Sequence, residues 1–150
     1  MSSRIEQATV ALVTLLEALP GVTVLRNCDV PISFVTDATP TVNVVDGDDV
    51  DEAPRFVAAN VAEFDTELRV VGYVTSADFA DLGPARDALW LAVWKIVTAN
   101  RVLGSELTWD VRPRATQRRL ESEPGKPVAA FELPVVLRLT AQIDDPAIAA

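Results

Sequence analysis

The chain has 150 residues, a net charge of −9, one cysteine and no histidine. The missing histidine removes Ser-His-Asp and Cys-His catalysis together with the commonest zinc ligand. The acidic balance argues against a general nucleic-acid binder, because neutralising phosphates needs a basic face.

The length fits one domain, spanning residues 1–150 and able to bury roughly 70% of the surface of its unfolded chain. No apolar run approaches the ~20 residues of a membrane span, and no apolar block precedes Glu6, so neither a transmembrane helix nor a signal peptide is expected. Lone Cys28 has no partner for an internal disulfide, which suits a reducing compartment; it reads as a half-buried strand thiol without a base beside it.

Ser3-Arg-Ile-Glu6 has the form of a capping box, in which the Ser3 hydroxyl accepts from the Glu6 N–H and the Glu6 side chain reaches back. Ile5, Ala8, Leu12, Leu15, Leu16 and Leu19 keep helical spacing as far as Pro20-Gly21, which predicts a first helix of about 17 residues. Val22 to Asn27 alternates and is β-branched, as a strand should be. Cys28 to Pro40 reads as a loop, and Thr41 to Asp46 as a second strand. That strand runs into an acidic turn carrying Asp46, Asp48, Asp49, Asp51 and Glu52.

Arg55 to Ala62 and Glu67 to Thr75 predict an antiparallel hairpin that turns at Phe64-Asp-Thr66. Asp78 to Gly104 predicts the long central helix. Leu82, Ala85, Leu89, Ala92, Val93, Ile96 and Leu103 form its apolar stripe, and Trp90, Trp94 and Val97 widen it. Pro84 is expected in the first turn, capped by Asp78 or Asp81, and Gly104 at the end. Glu106 to Arg112 alternates, with Leu107, Trp109 and Val111 on one face. Pro113 to Pro127 is polar and carries Arg114, Arg118 and Arg119. Val128 to Ala141 reads as the last strand, with Pro134 implying an edge position, a bulge or a break. The residues after Asp144 read as a tail. The element order predicts an α+β fold with both helices on one face of a four- to five-stranded, mostly antiparallel sheet.

No catalytic constellation emerges. Asp46-x-Asp48 resembles the start of an EF-hand loop, but Asp51 stands where that loop needs Gly and Val57 where it needs Glu. Carboxylates abound, Glu63 and Asp65 among them, yet nothing predicts a buried pair with a raised pKa. No enzymatic activity, metal or cofactor is expected. Arg112, Arg114, Arg118 and Arg119 read as a solvated face or a surface for an acidic partner, with no Gly-rich phosphate loop. Oppositely charged loops on one small domain suit head-to-tail contact between identical subunits. Trp90 and Trp94, one turn apart, read as core or subunit interface.

Several stretches together resemble the tail terminator (minor tail) proteins of long-tailed bacteriophages and related gene-transfer or tail-like particles. They are the opening helix Arg4 to Leu19 with Pro20-Gly-Val-Thr-Val-Leu-Arg26, and Pro40-Thr-Val-Asn-Val-Val-Asp-Gly47. They continue through Glu67-Leu-Arg-Val-Val-Gly-Tyr-Val74, the Leu89 to Gly104 helix and the hairpin ending Val135-Val-Leu-Arg-Leu-Thr140. The resemblance is one of layout and length over nearly the whole chain. It implies a non-enzymatic virion protein at the head–tail junction, assembled in the host cytoplasm. Members form a ring, usually a hexamer, that sits on the last ring of tail-tube protein and stops tube growth. The ring's other surface meets a head-completion or connector protein, and DNA passes only as cargo through an acidic lumen that repels it. A neck connector of the same kind of particle is the competing reading. A small bacterial binding module or enzyme is the third, and it predicts a monomer or dimer with a concave polar pocket.

Overall fold

The computed structural model describes residues 3–28, 39–50, 55–76, 78–101, 103, 110–123 and 126–142. Nine elements follow along the chain: α1 (Arg4–Glu17), β1 (Thr23–Arg26), β2 (Thr41–Asp49), β3 (Arg55–Ala58), β4 (Val61–Thr75), α2 (Phe79–Ala99), β5 (Asp110–Pro113), β6 (Gln117–Glu123) and β7 (Lys126–Gln142). The fold is α+β, as the element order predicts, but the sheet has seven strands rather than four or five.

Two long strands at its centre explain the difference. Every residue of β4 pairs with β7, from Val61 opposite Gln142 to Thr75 opposite Val128. Each of these strands is long enough to carry two short partners end to end on its outer side. β2 and β3 share the outer side of β4, and β6 and β5 share the outer side of β7. β1 adds the far edge, parallel to β2.

Alternation sorts the faces of this sheet. Val42 and Val44 of β2, Leu68, Val70 and Val74 of β4, and Ala129 to Leu139 in steps of two on β7 are buried in one core cluster with both helices. α2 lies on β7, β4 and β5, and α1 lies on β1, β7 and α2. In α1 the core side is Ala8, Leu12 and Leu16, as its spacing predicts. In α2 it is Leu82, Leu89, Val93 and Val97, with Ala85, Ile96 and both tryptophans packed at the margin. Leu103 is buried beyond the end of the helix.

Four local expectations change. The hairpin does not turn at Phe64-Asp-Thr66; β4 runs straight through, and the two-residue turn is Ala59-Asn60 between the paired Ala58 and Val61. Asp65 stays in the strand because Arg138 lies directly opposite and satisfies its carboxylate. Pro134 neither breaks β7 nor puts it at an edge. Its carbonyl accepts from the Arg114 N–H at 2.8 Å, so its ring nitrogen faces the same side, the gap between the end of β5 and the start of β6. A missing donor costs no ladder bond there.

Pro84 stands beyond the first turn of α2, which begins at Phe79 behind the Asp78 cap. Its neighbour Gly83 has no Cβ to crowd the proline ring, and Ala80, whose carbonyl loses a donor, is exposed. The helix ends at Asn100 rather than Gly104. The Asn100 backbone N–H and side-chain amide both donate to the Ile96 carbonyl, at 3.2 and 2.8 Å. Gly104, Leu107 and Trp109 lie outside the described residues.

Gly72 shows how tightly the centre is packed. It faces Phe131 across the β4–β7 ladder, and the fully buried Phe131 ring occupies the space a Cβ at Gly72 would need. Gly72→Ala should therefore cost about 1–3 kcal/mol by overpacking. The cost should shrink in a Phe131→Leu background, as urea denaturation of the four proteins of the cycle would measure. Equal costs in both backgrounds would show that the ring is not what excludes the methyl.

Candidate interaction surface

The face of the sheet away from the helices carries a connected set of charged side chains. Glu63, Asp65, Glu67 and Arg69 follow one another at strand spacing on β4, with Arg138 of β7 directly opposite Asp65 and Glu132 of β7 opposite Val71, one step beyond Arg69 on the same face. The Arg138 guanidinium donates to both Asp65 carboxylate oxygens, at 2.9 and 3.1 Å. It also lies 3.7 Å from Glu63, which Arg55 of β3 approaches to 2.8 Å. Arg112 stands 3.5 Å from Asp65 and 3.6 Å from Asp110, and Arg101 donates to both oxygens of Asp110. At the network's far end Arg69 lies between Glu67 and Glu132, and Arg114 reaches Glu67 at 4.0 Å.

The Arg138 hydrogen bonds hold the Asp65 carboxyl below its usual range. Burial opposes them, and the charges of Arg138, Arg112 and Arg55 add to the depression. A catalytic acid would need the opposite shift, so Asp65 serves as an anchor in this network.

A second network ties the start of α1 to the β1–β2 edge. Arg26 donates to both oxygens of Glu6, at 2.6 and 2.7 Å, and stands 3.3 Å from Asp46. Ser3 caps the helix by accepting from the Glu6 N–H at 3.2 Å, but the Glu6 side chain goes to Arg26 instead of closing the capping box. A bidentate guanidinium contact outcompetes a single backbone N–H, and the carboxylate still sits at the favourable helix N-terminus. Asn27 extends the parallel β1–β2 pair from a left-handed backbone, φ 49°. Its amide donates to the Asp46 carboxylate, and its oxygen accepts from the Asp46 N–H. Asn43 does the same for the Cys28 backbone. Cys28 itself is exposed just past β1, not half-buried within it.

The residues expected to form interaction surfaces are distributed as follows. Asp46, Asp48 and Asp49 belong to β2, whose ladder runs past Gly47 through a register shift, so the acidic stretch is strand rather than turn as far as Asp49. Gly47 is needed there because a side chain would strike the Glu67 carbonyl. Asp48 and Asp49 are exposed; Asp51 and Glu52 lie outside the described residues.

The four arginines do not form one patch. Arg112 and Arg114 meet the carboxylates of the open face. Arg118, opposite Phe131, is on the helix-bearing face, and Arg119, opposite Ala130, is on the other. Both belong to a strand, β6, not to a loop. Arg118 stacks over Trp90 at 5.0 Å and lies 3.6 Å from Asp87. Trp90 also donates its Nε1–H to Thr116 at 2.8 Å, and its ring centroid is 5.2 Å from that of Trp94. This pair pins α2 to the β5–β6 junction of the same subunit.

Charge-based reading missed the exposed apolar side chains. Phe56 and Val57 of β3 are 71% and 55% exposed, and Leu120 of β6 is 57% exposed. Val50, just past β2, is 37% exposed. Phe56 and Val57 occur together in a short strand beside an acidic segment, a weak signal that becomes specific only once the corner they occupy is known. Glu63, Asp65 and Glu67 were legible as one face, had β4 not been divided at Phe64.

Among the described residues no three ligating side chains are grouped to hold a metal, and no helix is long and apolar enough to cross a membrane. No protein-family model matches the chain, and no curated protein matches it.

The lowered carboxyls of Asp65 and Glu6 have a defined pH signature. A group whose folded pKa is depressed stabilises the fold above its ordinary pKa and loses that contribution as pH falls through the folded value. Both shifts are of this kind. Stability measured by urea unfolding should be level from about pH 7 to 5 and fall steeply below about pH 4. Asp65→Asn should cost about 1–3 kcal/mol at pH 7 and flatten the acid limb. A variant as stable as the wild type at pH 7 would show that the open-face network is not stabilising.

Proposed function

We propose that the chain is a non-enzymatic, ring-forming subunit that closes the end of a phage-type tail tube and presents a surface to the head. The observation that carries this reading is how the exposed surface is divided. The acid–base groups of the open face are engaged in ion pairs within the subunit, whereas apolar side chains stand exposed at sheet edges. Such a surface is suited to holding protein, not to transforming a small molecule. The α+β architecture agrees with what the resemblance to tail terminators implies. The excess of acidic residues suits a ring through which DNA must slide without adhering. Its place in the particle rests on that resemblance alone.

Light scattering across a concentration series should give one discrete oligomer near six subunits, or a monomer converting cleanly to it. Added to polymerising tube subunits of its own particle, the protein should leave tubes of bounded length bearing a ring at one end in electron micrographs. Binding to tail-free heads with no effect on tubes would instead favour the connector reading. A strict monomer that leaves tube length unchanged and binds no heads would exclude both.

A further inference from the structure

Besides Val10 on α1 and Leu91 on α2, the large exposed apolar side chains among the described residues lie at two diagonally opposite corners of the sheet. β3 pairs with the first residues of β4 on the β2 side, and β6 pairs with the first half of β7 on the β5 side. The first residues of β4 meet the last of β7, so β3 and β6 differ both in edge and in end. Each has a ladder on one side only among the described residues.

The chemistry of the corners differs as well. Phe56 and Val57 lie near the end of β2, where Asp48, Asp49 and the following Val50 are exposed. At this first corner Arg55 is paired with Glu63 at 2.8 Å, which leaves the carboxylates of Asp48 and Asp49 in excess. At the second, Arg118 and Arg119 of β6 precede Leu120, and a single carboxylate residue, Glu121, directly follows it.

We propose that these corners bind each other between successive copies of the chain, β6 of one subunit docking on β3 of the next. This deepens the self-assembly reading of the previous subsection and rests on it. Three features favour head-to-tail contact over a two-fold one. The first is charge: a two-fold contact would set Arg118 and Arg119, or Asp48 and Asp49, against their own counterparts, whereas a head-to-tail contact joins opposite signs. The second is direction. β3 is antiparallel to β4, β4 to β7 and β7 to β6, so a neighbour carried round without inversion presents β3 antiparallel to β6, the geometry in which free strand edges pair most readily. The third is facing. Phe56 is opposite Ala62 and Leu120 opposite Ala129, both on the helix-bearing side. In that arrangement the two side chains emerge on one face, where each can cover the other. A heterologous contact of this kind closes into a ring when its rotation allows.

The test uses two variants, each blocking one corner. Phe56→Asp with Val57→Asp blocks the first, and Leu120→Asp the second; both change exposed side chains, so far-ultraviolet circular dichroism and the thermal midpoint should stay near wild type. Each variant alone should associate at least about tenfold more weakly than wild type. Mixed in equal amounts, they should form a 1:1 dimer and nothing larger, because each retains the corner the other lacks. Sedimentation velocity reads all three samples. Variants that assemble like the wild type would overturn the corner pairing while leaving self-assembly through another surface. Variants that stay monomeric when mixed would overturn the head-to-tail geometry. A wild type that remains monomeric at every concentration would overturn the pairing, and the ring reading would fall with it only if tube length were also unchanged and no heads were bound.

Discussion

The antiparallel ladder between β4 and β7 is the constraint on which the rest depends. It joins residues far apart in the chain and is continuous over the whole length of β4. Its length creates the seven-stranded sheet, since each long strand accommodates two short partners along its outer side. It also sets the phase of both faces. With Val70 opposite Leu133 and Leu68 opposite Val135 on one side, Asp65 must fall opposite Arg138 on the other. A one-residue slip would carry the charges into the core and the valines into water.

Within that register the molecule handles its polar groups in two ways. On the open face, charges compensate one another across strands, with bidentate contacts at Asp65 and Asp110 that fix side chains otherwise free to move. Isolated pairs at the surface contribute little, but a connected set with shared partners is ordered more cheaply per bond. At the α1–β1–β2 corner, Arg26 joins a helix start to two strands, and Asn27 and Asn43 take the place of backbone partners where β1 runs out. Side-chain amides carry a donor and an acceptor in nearly peptide geometry, which suits them to extend a parallel pair by one step.

The most exposed apolar side chains of the sheet lie at its edges. The helices cover the centre, where β4 and β7 present Leu68, Val70, Phe131 and Leu133. They do not cover β3 or the outer part of β6, so Phe56 and Leu120 stay in contact with water. Exposed apolar side chains on strand edges invite pairing with another chain. A protein that assembles can use that tendency, with charge deciding which edge meets which.

The sequence by itself determined the two helices, the alternation of several strands and the α+β class. Spacing of Ala8, Leu12 and Leu16, and of Leu82, Leu89 and Val93, marked the two helices. Ser3 and Asp78 marked their starts, because a hydroxyl or carboxylate before an apolar-periodic stretch answers the free N–H groups of the first turn. Alternation in β2, the second half of β4 and β7 marked the strands, and with them the α+β class. Tertiary structure decided what depends on a distant partner. Asp65 looked like a turn residue until Arg138 arrived beside it, and Pro134 looked disruptive until a gap between β5 and β6 accommodated its missing donor. Glu6 left its capping box for Arg26, and four arginines close in sequence were divided between two faces of a sheet. Local pattern reports the period of a chain, but the side chain that will satisfy a charge, and the edge that stays open, are set by which strand pairs with which.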